Sequence, residues 1–440
     1  MKHAVADTRI PLAAPPVSTN TRAGRRLKVM FIPLSYVLAH TVRPIEIAKA
    51  LRARGHDVFF VGVDAATPRS KMSLVREAGI RHIVAPEPNH PYVWERFIKH
   101  GWLKTSIDLT FVARWAPLHE IIEAHVEIIK QEKPDIVIGD SSVTASTSAY
   151  ISGIPAACVQ GAYFLDYLNS NIYYRMHMRS WDRMNLEPMR RKAYRRHGVK
   201  PVNAMRLLCS IPLLSPDLTS LYDPSPRCPH YHTVGPILFD HPAPTPEWMS
   251  ELDDGTPNVY VSMGSTGIFD VFLRRTYDAL GKLPYRFVVT TGGQVDAGTM
   301  RLAPANFRFA DFANGSEILR HCSAMIYHGG NGTMYQGLAA DVPMVAVPAH
   351  REQELVVRHA VRHGFCLSAP KPRHINGEVL AHTLRRVIEE PSFREAAKRF
   401  GAEVRASNGS ETSADIIEQV AWLGLPAKAY LESSRVRTIF

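Results

Sequence analysis

Apolar and polar positions along the chain fall into two alternating periods. Lys28–Leu34 (KVMFIPL) is an almost unbroken apolar run of strand length. Ser35–Arg43 reads as a turn, and Pro44 then opens a stretch in which Ile45, Ala48 and Leu51 recur at helical spacing. Gly55 ends that helix and Asp57–Val63 (DVFFVGV) is a second strand. Strand, helix and strand at this spacing predict parallel neighbours in one sheet. The rhythm continues through Pro134–Gly139 (PDIVIG) and Pro155–Val159 (PAACV), and fades at Thr233–Pro236. After a Pro-rich connector at Pro242–Trp248, it restarts with Asn258–Met263 (NVYVSM) and Tyr285–Thr291 (YRFVVTT). Ser323–Tyr327 (SAMIY), a helical stretch at Met334–Ala340 and a strand at Pro343–Pro348 (PMVAVP) follow, and helices close the chain from Ile375 to about Leu423.

This pattern predicts an α/β protein of two Rossmann-like domains facing across a cleft, residues 27–236 and 237–440, with the closing helices in the second. A chain of 440 residues exceeds what one core comfortably supports. Residues 1–26, rich in Ala, Pro, Thr and Arg, have no continuous apolar core. They are expected to be a disordered extension, neither signal peptide nor membrane span.

Composition narrows the class only a little. Five scattered cysteines (158, 209, 228, 322, 366) form no CxxC and suggest a reducing compartment without a disulfide or zinc framework. One of three N-x-S/T sequons, at Asn331, lies inside a Gly-rich turn that a glycan would obstruct, which fits a cytoplasmic location. The net charge of +11 suits anionic partners. Its densest stretch, Arg175–Lys200, is a solvated helix face or a lip for an anionic or membrane-bound acceptor. No zinc-finger spacing or RNP-like motif supports nucleic acid. GxxxxGK[ST] and GxGxxG are both missing, so ATP hydrolysis and dinucleotide redox chemistry lose their usual support. His359 and His363 have i,i+4 metal spacing without the flanking pattern of a metal helix and are expected to be structural.

The chemistry concentrates in two places. Between Tyr327 and Met334 the chain reads HGGNGT, a Gly-rich turn running straight into a helix. Side-chain-free backbone beside unpaired N–H groups is a site for a phosphate or diphosphate. His328 at its mouth can add a hydrogen bond, and the polar pair Glu352-Gln353 follows one βα unit later. The second place is His40, after the first strand at the carboxyl edge of a parallel sheet, where ligands of open α/β sheets gather. Asp140 ends a later strand of the same sheet; alone it reads equally as a helix N-cap.

The segment HGGNGT, Asp341-Val342-Pro343 to Pro348, and Glu352-Gln353 resembles the donor-binding signature of family 1 nucleotide-sugar glycosyltransferases of GT-B fold, bacterial natural-product type. Ala39-His40-Thr41-Val42-Arg43-Pro44 is similar to the family's G-H-x-x-P element, with Ala for Gly. Val261-Ser262-Met263-Gly264-Ser265 resembles its V-S-x-G-S strand end. The resemblance implies His40 as general base with Asp140 orienting it. His328, Gly330, Asn331, Gly332, Thr333 and Ser265 would hold the donor diphosphate. Phe312, Ala313 and Gln336 would meet the nucleoside, and Glu352 and Gln353 the sugar.

It also implies a hexosyltransferase that moves a sugar from a UDP- or dTDP-type donor to a hydroxyl or amine of a small or lipophilic acceptor. Natural-product or antibiotic biosynthesis is the expected setting. Many glycosyltransferases hold Mn²⁺ or Mg²⁺ with a D-x-D motif; the chain has none, so inverting transfer without metal or other cofactor is expected. Where relatives often carry Val-Pro-Gln near the base, Phe312-Ala313-Asn314-Gly315 stands here, which leaves the nucleobase open. The alternatives are a GT-B epimerase, a non-catalytic nucleotide-sugar-binding partner of another transferase, and a peripheral membrane transferase making a glycolipid. An auxiliary protein would have no need of His40 and Asp140.

Overall fold

The computed structural model describes residues 25–67, 70–87, 118–162, 187–222, 228–240, 243–264, 268–349 and 351–433. The first half runs β1 (Lys28–Pro33), α1 (Leu38–Ala53), β2 (Asp57–Gly62), α2 (Met72–Glu77) and β3 (Arg81–Val84). It continues through α3 (Leu118–Glu132), β4 (Ile136–Asp140), α4 (Val143–Ser152), β5 (Ala156–Val159), α5 (Glu187–Arg196), α6 (Ala204–Ser210), β6 (Leu213–Ser215) and β7 (Tyr231–Thr233). These strands form one parallel sheet in the order β3-β2-β1-β4-β5-β6-β7.

The second half begins with β8 (Asn258–Ser262), α7 (Phe269–Leu280), β9 (Arg286–Thr290), α8 (Ala297–Arg301) and β10 (Phe307–Ala310). Then come α9 (Gly315–Leu319), β11 (Cys322–Tyr327), α10 (Asn331–Ala339), β12 (Met344–Ala346), α11 (Arg351–Arg362) and β13 (Cys366–Ser368). Its strands form a second parallel sheet, β10-β9-β8-β11-β12-β13. In each sheet the order reverses once, between β1 and β4 and between β8 and β11, and that switch point opens a crevice at the carboxyl ends.

Burial explains the apolar runs. Val29, Phe31, Phe60, Ile136 and Ile138 are buried from water, as expected of parallel strands covered on both faces. Phe31 and Phe60 stack at 5.1 Å between ring centroids across β1 and β2. In the second sheet Val259, Val261, Phe287, Val289, Ala324 and Ile326 form the matching core with α7 and with α12 (Gly377–Glu389).

The end of the chain returns to the first sheet. After α13 (Pro391–Ala406), helix α14 (Gly409–Leu423) packs Ala414, Ile417 and Val420 into the core containing Ile45, Ala48 and Leu51 of α1. Arg54 just past α1 meets Glu411, Asp415 and Glu418 at 2.6, 2.7 and 2.9 Å. Helix α15 (Ala427–Ser433) adds Ala427 and Leu431 to the other face of the first sheet.

One local expectation is corrected. Ser35–Arg43 is not a turn up to Pro44: helix α1 begins at Leu38 and carries Pro44 inside it. Proline lacks the N–H that would bond back to the His40 carbonyl, so a helix start at Pro44 is the simpler reading of the sequence. The apolar face of Val42, Ile45 and Ile47 favours continuing the helix one turn earlier. His40 therefore sits on a helix rather than in a loop.

Candidate active site

The first cluster forms where β1 and β4 lie side by side, with Pro33 in register with Asp140. Asp140 ends β4, and Ser141 after it adopts a left-handed φ of 53°, which costs a non-glycine residue roughly 1–2 kcal/mol. The turn lets Ser142 cap α4, its side chain accepting from the Ala145 amide. The N-cap role is thus taken by Ser142, and Asp140 points elsewhere. Its Oδ1 lies 2.6 Å from His40 Nδ1. Arg43, one turn after His40 on α1, donates from Nη2 to Oδ1 at 2.7 Å and from Nε to Oδ2 at 3.1 Å.

The three side chains are buried, at 0% exposure for Asp140, 7% for Arg43 and 9% for His40. A carboxylate can only accept, so the 2.6 Å contact places the neutral ring's proton on Nδ1. Nε2 then presents its lone pair. The Arg43 Nη2 contact with Nδ1, 2.8 Å, is two donors sharing one carboxylate oxygen. Sequence reasoning missed Arg43 as a participant. The signal was i,i+3 spacing from His40, invisible while that segment was read as a turn.

Two neighbours complete this edge. Glu87 accepts from the Ser35 amide at 2.8 and 3.1 Å and so holds the β1–α1 junction that launches His40. Burial pushes its carboxyl up to about 7, and burial, then Glu87, raise the Tyr36 phenol. Cys158, beside Asp140, is held up to about 12 by burial and then by that carboxylate, which makes it an inert thiol.

The second cluster lies at the switch point of the other sheet, where Tyr327 ends β11 in register with Ser262 of β8. His328 Nδ1 faces the Ser262 carbonyl at 3.4 Å. Its ring is bracketed by two glycines. A Cβ on Gly264 would lie 2.7 Å from Cε1, and one on Gly330 2.2 Å from Nε2. Gly264 also holds a φ of +54°. Gly330 and Gly264 therefore solve one problem together: they make room for this imidazole, while Gly329, at a φ of +85°, lies against Val357 and Gln353.

Helix α10 starts at Asn331 with Gly330 as N-cap and no side-chain cap. Other helices are capped by their own side chains, as at Asn376 and Asn408. Among the described residues no side chain caps the first amides of α10, which have about half a positive charge of helix dipole behind them. A Cβ on Gly332 would meet nothing within 4 Å, and Thr333 is partly exposed beside it.

The remaining residues expected at the site are placed as follows. Asn331 uses its side-chain amide to donate to Asp217 Oδ1 at 2.7 Å, so only its backbone is left to face a phosphate. Gln336 donates to the Phe239 carbonyl at 3.0 Å, leaving its Oε1 for any ribose hydroxyl. Gln353 accepts from the Ala349 amide at 2.8 Å and closes the turn between β12 and α11. Phe312 is 59% exposed and Ala313 half-buried on the loop after β10. Ser265 and the side chain of Glu352 lie outside the described residues, as do residues 175–186 of the basic stretch. On α5 the rest of that stretch buries Arg190 and Tyr194 and exposes Lys192, Arg195 and Arg196. His359 and His363 pack on Tyr222 and Phe400, 4.5 and 5.2 Å between centroids. Among the described residues no group of three or more His, Cys, Asp or Glu is placed to hold a metal ion. No helix there is long and apolar enough to cross a membrane.

The carboxyl edges of the two sheets meet. Asp217, just past β6, reaches Asn331 at the start of α10, and the Tyr222 ring packs at a tilt against His359 of α11.

The chain is similar to known proteins over most of its length. Residues 274–420 match the profile of the erythromycin biosynthesis protein CIII-like, C-terminal domain. A PGL/p-HBAD biosynthesis rhamnosyltransferase of Mycobacterium bovis (strain BCG / Pasteur 1173P2) is 26% identical over 403 residues, 86% of this chain and 84% of that one. The crystal structure of the glycosyltransferase SnogD from Streptomyces nogalater superposes with a TM-score of 0.69 at 21% identity, over 90% of this chain and 100% of that one. The glycosyltransferase VinC in complex with DTDP gives 0.69 at 20% identity, with the same coverage. The expected architecture, two Rossmann-like domains in the GT-B arrangement, is the one found.

Proposed function

We propose that the chain, similar to natural-product glycosyltransferases, is a hexosyltransferase that moves a hexose-type sugar, with inversion and without metal, from a nucleoside-diphosphate donor to a hydroxyl or amine of a small or lipophilic acceptor. The observation that carries this is the buried His40–Asp140 contact of 2.6 Å at the carboxyl edge of the first sheet, with the donor turn at the carboxyl edge of the second.

In this reading His40 Nε2 takes the acceptor proton while the acceptor oxygen attacks C1 of the sugar from the face opposite the diphosphate. The C1–O bond to the diphosphate breaks, and the nucleoside diphosphate leaves with the bonding pair. Imidazole is the side chain whose ordinary titration lies nearest neutral pH, and base assistance contributes roughly 10²–10⁴ in rate. Asp140 keeps the proton on Nδ1 and stabilises the imidazolium as it forms. Arg43 holds that carboxylate in place through two of its hydrogen bonds. The growing charge on the diphosphate meets the α10 amides at Gly332 and Thr333, the helix dipole and His328. Because His328 Nδ1 faces a carbonyl, its Nε2 donates to an anion only as imidazolium.

In this reading Phe312, exposed after β10, stacks on the base. A dTDP or UDP donor agrees with the DTDP bound by VinC. The test is anomeric: product from a donor of known configuration should carry the opposite one, at a rate unchanged by EDTA. Retention, or loss of activity on chelation restored by Mg²⁺ or Mn²⁺, would contradict the proposal. The exposed Lys192, Arg195 and Arg196 on α5 favour a second reading of the acceptor, one presented at an anionic membrane surface. Co-sedimentation with anionic liposomes at low salt, lost at high salt, would support it, and none at low salt would dispose of it.

A further inference from the structure

We propose that Asp217 is a positioning residue: its carboxylate clasps the donor turn to the first sheet and thereby sets the bound diphosphate relative to His40. The inference rests on the glycosyltransferase reading above and concerns how its two halves are registered.

Asp217 is fully buried, two residues past β6. Its two oxygens are divided between the halves of the molecule. Oδ2 accepts from the Ala162 amide at 2.6 Å and from the Ser215 hydroxyl at 2.7 Å, both on the first-sheet side. Oδ1 accepts from Asn331 Nδ2 at 2.7 Å and from the Tyr335 hydroxyl at 3.1 Å, both on α10. Tyr335 in turn accepts from the Leu218 amide at 3.0 Å. Four donors are what an ionised carboxylate can accommodate, so nothing in the arrangement is left over.

Asn331 and Tyr335 are four apart on one helix face, so two points fix both the height and the roll of α10. Asn331 is also the first residue of the helix whose next amides, at Gly332 and Thr333, are offered to the diphosphate. Any shift of Asp217 therefore moves those amides as a rigid unit. Ala162 leaves β5 at the same edge as His40 and Asp140, so the clasp refers the donor turn to the acceptor side.

Asparagine at 217 cannot accept from all four donors, since one of its atoms becomes a donor itself. The test compares wild type, Asp217→Asn, Tyr335→Phe and their double variant, reading sugar transferred to acceptor against sugar transferred to water. Hydrolysis breaks the same C1–O bond, but water is small and reaches C1 without registration of the sheets. A misplacement near 1 Å costs on the order of 10²-fold. Transfer by Asp217→Asn should thus fall about 10–100-fold and its transfer-to-hydrolysis ratio about tenfold. Tyr335→Phe should move the ratio in the same direction by less, and the two changes should be non-additive.

Arg54→Gln is the control, because it loosens the α1–α14 seam away from the donor turn. It should lower the melting temperature and leave the ratio unchanged. An unchanged ratio in a folded Asp217→Asn, or an equal fall in Arg54→Gln, overturns the proposal. Should Asp217→Asn not fold, an unchanged ratio in Tyr335→Phe overturns it. A wild type that binds no nucleoside diphosphate and transfers no sugar overturns the functional reading itself.

Discussion

Replacing Asp140 by asparagine keeps the shape of the side chain and removes its charge. The carboxylate is fully buried and accepts from His40 Nδ1 at 2.6 Å and from Arg43 at 2.7 and 3.1 Å. The new carboxamide has one acceptor oxygen and two placements. With its NH₂ toward His40, Nδ1 must become the acceptor and the ring proton moves to Nε2. The lone pair that would take the acceptor proton is then gone, a loss of about 10²–10⁴ in rate. With its NH₂ toward Arg43 Nε, two donors oppose each other. Either way a buried guanidinium loses its counter-charge, which costs roughly 3–5 kcal/mol.

Asp140→Asn should therefore melt lower and transfer to an alcohol about 10²–10⁴ more slowly. Nucleoside diphosphate affinity should stay within a few-fold, because the donor turn is on the other sheet. The assay is kcat at saturating donor with two acceptors, an alcohol and an acidic phenol. The phenol gives up its proton more readily, so its loss should be the smaller. A folded variant whose kcat for the alcohol is within about threefold of wild type would refute the reasoning.

The glycines of the donor turn should separate by what a Cβ meets. Gly330→Ala places that atom against the His328 ring and should cost both stability and nucleoside diphosphate binding. Gly332→Ala meets open space in a helix, so it should raise stability by about 0.5–1 kcal/mol while still weakening binding, as calorimetric titration beside thermal melts would show. His125 gives a pH effect unrelated to catalysis. Burial holds it down to about 4 against an ordinary 6.5, and among the described residues its Nδ1 has no hydrogen bond. The unfolded chain binds the extra proton between those values, so stability is lost as pH falls from 6.5 toward 4, by up to roughly 3 kcal/mol. Urea midpoints at pH 7.5 and 5 should converge in His125→Leu, and an unchanged pH difference would contradict this.

Much of the fold was legible because parallel strands covered on both faces read as continuous apolar runs. Lys28–Leu34, Asp57–Val63 and Asn258–Met263 each met a strand within a residue or so of its bounds. The start of α1 was not legible, since Pro44 is a stronger local signal than the buried face of Val42 and Ile45 that overrides it. That misreading hid Arg43. The donor turn stood out because glycines around a histidine have a local cause, here the room taken by the His328 ring. The bond from Asn331 to Asp217 spans 114 positions, and the return of α14 onto α1 is equally non-local. Such pairings are set by tertiary packing, and no periodicity in the chain announces them.

The central claim is a division of labour, a base on the first sheet and a diphosphate clamp on the second. It is tested most directly by binding UDP, dTDP, GDP and ADP to wild type, His328→Ala and His40→Ala, read as thermal stabilisation. One diphosphate at about 100 times its Kd should stabilise wild type and His40→Ala by roughly 2.7 kcal/mol. It should fail to stabilise His328→Ala, while His40→Ala binds and transfers sugar about 10²–10⁴ more slowly. Equal stabilisation of His328→Ala, or no binding of any nucleoside diphosphate by wild type, would contradict the account.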